Sequence, residues 1–148
     1  KDGIVIIELL KNVAPNHVNQ IKELAREGFY DGVPFHRVIP GFMAQTGDGQ
    51  FGNGTGGSSK PDLMQEFNDT SHLRGTVSMA RTQDPNSANS QFFICFGPTS
   101  HLDGQYTVFG QVVSGMEHVD NIKVGSGSNG EVSDPDLMIS VKVLSDIQ

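Results

Sequence analysis

The chain has 148 residues, with 10 Lys and Arg against 17 Asp and Glu, for a formal net charge of −7. That balance excludes a protein that tracks nucleic-acid phosphates, which needs a basic stripe; the cations here, from Lys11 and Lys22 through Arg37, Arg81 and Lys142, are scattered. No run approaches the roughly 18 consecutive apolar residues of a membrane span, and the length suits one domain over 1–148 that buries its own core.

Residues 3–10 read as a β-strand, with an expected partner at 138–144, where Ile139, Val141 and Val143 alternate. Pro15 then opens a helix at a position that tolerates proline; Val18, Ile21, Leu24 and Ala25 form its apolar stripe, and Gly28 ends it. Short strands follow at 35–39, 42–46, 76–81, 91–96 and 107–113. A second helix is expected from Ser114, with Glu117 three residues on as a capping box, burying Met116, Val119 and Ile122. The glycine-rich stretches 47–60 and 125–136 separate no core-forming halves and read as surface loops. Many short strands with only two helices predict a mainly β fold, a closed antiparallel barrel with helices at its ends.

Cys95 is the single cysteine, so no internal disulfide forms; within FFICF it reads as a small core residue. The chain begins at Lys1 rather than Met. A cytoplasmic placement is expected, with the periplasm as the alternative if a signal peptide preceded Lys1.

Two strand-like segments carry apolar residues on both faces. In the first, Phe35, Val38, Ile39, Phe42 and Met43 do not alternate; in the second, Phe92 to Phe96 are apolar without a break. A half-buried strand needs one apolar face, so the second must meet a helix, another sheet or a ligand. Arg37, Gln45 and Gln91 place isolated polar groups among these apolar ones, the composition of a recognition site.

FHRVIPGFMAQTGD, NGTGG, RGTVSMAR, NSQFFICF and LDGQYTVFGQV, in this order, resemble the cyclophilins, a family of peptidyl-prolyl cis/trans isomerases. The similarity runs from Gly3 to about Val143, and SMARTQDPNSANSQFF is closer to the bacterial branch. The resemblance implies an eight-stranded barrel capped by two α-helices and catalysis without a cofactor or metal. It also implies partners that are proline-containing peptides and partly folded chains rather than nucleic acid or membrane, and a monomer.

Such an enzyme faces an amide barrier of about 18–20 kcal/mol. Millisecond turnover needs a factor near 10⁵, about 7 kcal/mol, and no nucleophile. The site must favour the twisted amide, whose pyramidal nitrogen accepts a hydrogen bond. Arg37 meets that demand, being always charged and carrying five donors. A charge-assisted hydrogen bond supplies roughly 1.5–3 kcal/mol, so dry surroundings and fixed orientation must supply the rest. By the resemblance, Phe42, Met43, Phe93 and Leu102 form the proline pocket, Gln45 and Gln91 bind substrate backbone, and Ala80 and Arg81 line the groove. Arg37, Phe42 and Gln91 would be the catalytic set. Gly54 would let substrate approach the backbone, and His101 and Tyr106 would complete the rim. His101 stands where many members carry Trp, and Tyr106 where they carry His. Retained isomerase activity with weakened cyclosporin binding follows as an expectation.

The competing function is a proline-segment binding module or holding chaperone without significant turnover. Gly52–Ser58 fails as a phosphate loop because no Gly-Lys-Ser/Thr follows. The five histidines lack metal-ligand spacing, and Asp48, Asp84 and Asp103 read as turn residues.

Overall fold

The computed structural model describes residues 3–147, so the outermost residues of the domain expected over 1–148 lie outside the described residues. Among the described residues there are eight strands: β1 (Ile6–Leu9), β2 (Val33–Pro34), β3 (Arg37–Ile39), β4 (Met43–Thr46), β5 (Thr76–Met79), β6 (Phe92–Cys95), β7 (Val108–Ser114) and β8 (Leu137–Met138). Two α-helices accompany them, α1 (Pro15–Arg26) and α2 (Met116–Asp120).

Hydrogen bonding divides the strands six and two. The larger sheet runs β1-β7-β5-β6-β4-β3, antiparallel throughout, and β2 pairs with β8. No ladder joins β1 to β3 among the described residues, so the sheet is not closed by hydrogen bonds. The outer edge of β3 is instead covered by the 125–132 loop. Val38 N–H donates to the Gly130 carbonyl, Gly125 N–H to that of Val38, and Val132 N–H to that of His36. A covered edge cannot template pairing with another chain.

The partner of β1 is β7, not 138–144. Alternation tells which face a strand buries, not which strand lies beside it. Ile139 is in fact exposed, Val141 N–H donates to the Asp31 carboxylate, and Val141 and Val143 pack half-buried against the core. The second helix also differs from expectation. Ser114 ends β7, and Gly115 is the N-cap at φ +88°, with no side-chain cap. A Cβ there would lie 2.1 Å from the Ile4 carbonyl oxygen, so close approach of the β1 segment requires glycine before the helix begins. Only Val119 of this helix is fully buried; Met116 and Ile122 pack partly buried beside it.

α1 begins at Pro15 as expected and buries Val18, Ile21, Leu24 and Ala25 against Val77, Met79, Phe92, Ile94 and Phe109. Glu27 is its C-cap, and Gly28 follows at φ +75°. β5 and β6 are buried along their whole length, so both of their faces are occupied. Cross-strand register sorts those faces into rows. Val38, Ala44, Ile94 and Val77 stand opposite one another across β3, β4, β6 and β5. The next row is Arg37, Gln45, Phe93 and Ser78. Side chains alternate along a strand, so the two rows project from opposite faces of the sheet.

Candidate active site

The second row lies under a cleft of about 150 Å³. Its apolar floor is Met43, Phe93 and Leu102, all buried, with Phe42 partly buried beside them. Ala80, Arg81 and Tyr106 make one wall, and Arg37 and Gln45 make the other. The Phe93 and Tyr106 rings meet edge to face, with centroids 5.9 Å apart. Edge-to-face packing is a favoured aromatic geometry and helps keep the floor rigid.

Arg37 is held on its inner side. Its Nε donates to the Asn129 carbonyl at 2.8 Å and its Nη1 to Gln45 Oε1 at 3.1 Å. Nη2 has no protein partner among the described residues. From Gln45 the chain of bonds continues: Gln45 Nε2 donates to Gln91 Oε1 at 3.0 Å, and Gln91 Nε2 donates to the carbonyls of Gly54 and Gly56 at 2.9 and 2.8 Å. Both amides are oriented by this relay, so the Arg37 plane is fixed before any ligand arrives.

The glycine-rich segment at the far end of the relay is organised by Asp48. Its carboxylate is buried and accepts from the backbone N–H groups of Gln50, Phe51, Asn53, Gly54 and Gly56. Burial pushes this carboxyl upward, but the hydrogen bonds from Phe51, Gly56, Asn53 and Gly54 outweigh it and hold it at about 2. Asp48 is therefore more than a turn residue: it sets the path of the whole loop. An Asp leading into a glycine-rich stretch was the available signal.

Gly54 has φ +94°, and a Cβ there would lie 2.9 Å from His36 Nε2. In this structure the glycine is demanded by His36 and by the left-handed backbone, and its carbonyl is already engaged by Gln91. Gly54, Gln91 and His101 do not line the cleft, whereas the other expected site residues do. His101 is exposed and lies at the edge of the site, its ring 5.6 Å from that of Phe42.

Beneath the floor lies a constellation that sequence spacing does not reveal. The His72 ring is buried, stacked on Phe93 at 6.1 Å. Its Nδ1 donates to Asp103 Oδ1 at 2.9 Å, and its Nε2 and Ser78 Oγ are 2.9 Å apart. The order Ser, His, Asp is that of a hydrolase triad, but Ser78 has no accessible surface, so no substrate carbonyl can reach its oxygen. His72 serves as a strut that ties the turn carrying Leu102 to strand β5. Asp103, read from sequence as a turn residue, is the anchor of that strut. Cys95 is fully buried in the same cluster, and burial pushes its thiol up, away from reactivity.

Residues 1–143 match the family model for the cyclophilin type peptidyl-prolyl cis-trans isomerases. A probable peptidyl-prolyl cis-trans isomerase of Brucella suis is 58% identical, over 99% of this chain and 80% of its own length. Peptidyl-prolyl cis-trans isomerase B of Bacillus subtilis is 45% identical over 89% of each chain. Among solved structures, cyclophilin AquaCyp293 from Hirschia baltica superposes with a TM-score of 0.86 at 30% identity, covering 97% of this chain and 71% of its own. A Cryptosporidium parvum cyclophilin type isomerase, solved in the presence of the dipeptide Ala-Pro, superposes with a TM-score of 0.85 at 28% identity, covering 94% of this chain and 91% of its own.

The fold is thus that of the cyclophilin type peptidyl-prolyl cis/trans isomerases. The chain belongs to the cyclophilin family and accelerates rotation about X-Pro peptide bonds.

Proposed function

We propose that Arg37 drives the rotation by donating a hydrogen bond to the prolyl nitrogen as it becomes pyramidal. The supporting observation is the state of its guanidinium: Nε and Nη1 are committed to Asn129 and Gln45, while Nη2 keeps its donors beside an apolar floor. In the planar ground state the nitrogen lone pair is delocalised and accepts poorly; in the twisted state it accepts well. The bond therefore strengthens only on the way to the transition state, which is what raises turnover. The proline ring packs on Met43, Phe93 and Leu102, with Phe42 alongside. Gln91 acts through Gln45 as a positioning residue, since its own amide is engaged on both sides. A Cryptosporidium parvum relative solved in the presence of the dipeptide Ala-Pro supports a proline-containing peptide as the occupant.

Two finer readings accompany this one. Closure of the two sheets into a barrel is supported by the 125–132 loop, which bonds along the outer edge of β3 and leads on to β8. Weak cyclosporin binding is supported by His101, an exposed imidazole that offers less surface than an indole would at the same rim. His101→Trp is expected to tighten cyclosporin inhibition, and a native inhibition constant as low as that of Trp-bearing members would overturn this reading.

The deciding experiment is the cis-to-trans rate of a short X-Pro peptide with native protein and with Arg37→Ala. Fast native turnover, with the variant slower by about a hundredfold or more, is the expected result. A variant as fast as the native protein would remove Arg37 from the mechanism. Peptide binding without acceleration by the native protein would mark a proline-binding module instead.

A further inference from the structure

The cleft of this acidic protein is locally cationic. Arg37 and Arg81 line it, and no Asp or Glu does. The chain has four arginines. Arg26 and Arg74 each make two hydrogen bonds to a carboxylate, those of Asp146 and Asp120. Arg37 and Arg81 have no carboxylate partner among the described residues, and only neutral oxygens accept their hydrogen bonds.

Arg81 is nevertheless held in place. Its Nε and Nη2 donate to the Gln105 carbonyl at 3.1 and 2.6 Å, and its Nη1 donates to the Thr82 carbonyl at 2.9 Å. The guanidinium carbon lies 4.5 Å from the centre of the Tyr106 ring, which is itself part of the cleft wall. Carbonyls and a ring face orient the cation without neutralising it. Two like charges fixed on one cleft repel each other, and a carboxylate arriving with the substrate relieves that repulsion. Ordering a free arginine normally costs side-chain entropy on binding; here the side chain is ordered beforehand.

We infer that Arg81 is a specificity-determining residue, and that the cleft prefers X-Pro segments with an acidic residue adjacent to the proline. This rests on the reading of the Arg37 cleft as the catalytic site. The preference is electrostatic, so it discriminates by attraction for carboxylates and by repulsion of cationic flanks together.

The test uses short peptides with Glu, Gln or Lys immediately before proline, and a matching series with the same residues immediately after it. kcat/KM for cis-to-trans exchange is measured at low salt and at ~0.5 M salt, where screening is nearly complete within a few ångströms. In at least one series, the native protein is expected to favour Glu over Lys by about tenfold at low salt, with Gln between them, and the ratio should shrink towards one at high salt. Arg81→Gln should lower that ratio by about threefold or more, and Arg81→Lys should keep most of it. The ratio is the readout, so a general loss of rate in either variant does not imitate the effect. Turnover of the Gln peptides with equal rates for Glu and Lys in both series would overturn this inference alone. A Glu-to-Lys ratio unchanged in Arg81→Gln would also overturn it. Absence of turnover on every peptide would overturn it together with the site reading beneath it.

Discussion

Val38, Ala44, Ile94 and Val77 form one row across four strands, and Arg37, Gln45, Phe93 and Ser78 form the row one residue away. The first row is wholly buried, its β6 and β5 members packing into the core that α1 covers. The second row meets a cleft; Arg37 is tied to Gln45, Gln45 through Gln91 to the Gly56 carbonyl, and Ser78 to His72. The same backbone thus carries a stability face and a chemical face. On the covered face the dominant quantity is apolar area removed from water, about 25 cal/mol per Å². On the open face it is the orientation of a few donors, which adds little to stability and, under the role proposed for Arg37, much to rate. Single substitutions should therefore separate the two faces.

The largest effect is expected on the covered face. Leu24 is buried under α1, and Leu24→Ala should lower unfolding free energy by about 2–5 kcal/mol, measured by urea denaturation, while turnover per folded molecule stays within about twofold. A variant that lost activity in proportion to a rate effect, with stability intact, would break the division between faces. Arg37→Ala is the reciprocal case. Its rate loss of about a hundredfold corresponds to about 2.7 kcal/mol in the activation barrier, and because Arg37 is only half-buried the thermal midpoint should move by no more than a few degrees.

Acid should erode the chemical face through Asp48. The carboxyl titrates near 3.8 when unfolded and at about 2 when folded. Its contribution, on the order of 2 kcal/mol, is complete above pH 3.8 and is lost as pH falls through about 2. Asp48→Asn should flatten that part of the stability profile. An earlier and smaller loss belongs to His17 and His36. Burial lowers both below the ordinary 6.5, despite the carboxylates of Glu66 and Asp48 pulling the other way. Stability from these two is complete above pH 6.5 and declines as pH falls below it, which chemical denaturation between pH 7.5 and 5 would register. Gln91→Leu should act on the open face with the smallest consequence. Loss of the relay behind Arg37 is expected to lower kcat about tenfold with KM nearly unchanged, read by progress curves over a range of peptide concentrations.

Much of this division was legible in the chain itself. Apolar residues on both faces of the FHRVIPGFM and SQFFICF segments called for two packing partners, and the register supplies them: a core and a cleft. Pro15, the Val18–Ile21–Leu24 stripe and Gly28 located α1 because each of these signals is local. Pairing was less accessible. Residues 138–144 alternate, yet β1 lies beside β7, since the choice of neighbour depends on distant packing. The start of α2 escaped because the Ser114 signal competed with a close backbone approach that only the folded chain contains. The contacts of Asn129 with Arg37, and of Asp103 with His72 and through it Ser78, span long stretches of sequence and follow no periodicity.

The Asp48 carboxylate grips its loop through main-chain N–H groups. A path fixed by the main chain leaves an exposed side chain along it free to change. Phe51, whose side chain is exposed, is open to diversification, whereas Gln50 and Asn53 accept from the Gly57 and Thr55 N–H groups, and Gly54 and Gly56 admit no side chain: an added Cβ would strike His36 at the first and Asp48 at the second. The segment beside the cleft is in that respect a partly interchangeable cassette, one in which new surface chemistry can be installed at its exposed positions while the geometry that orients Arg37 is inherited intact.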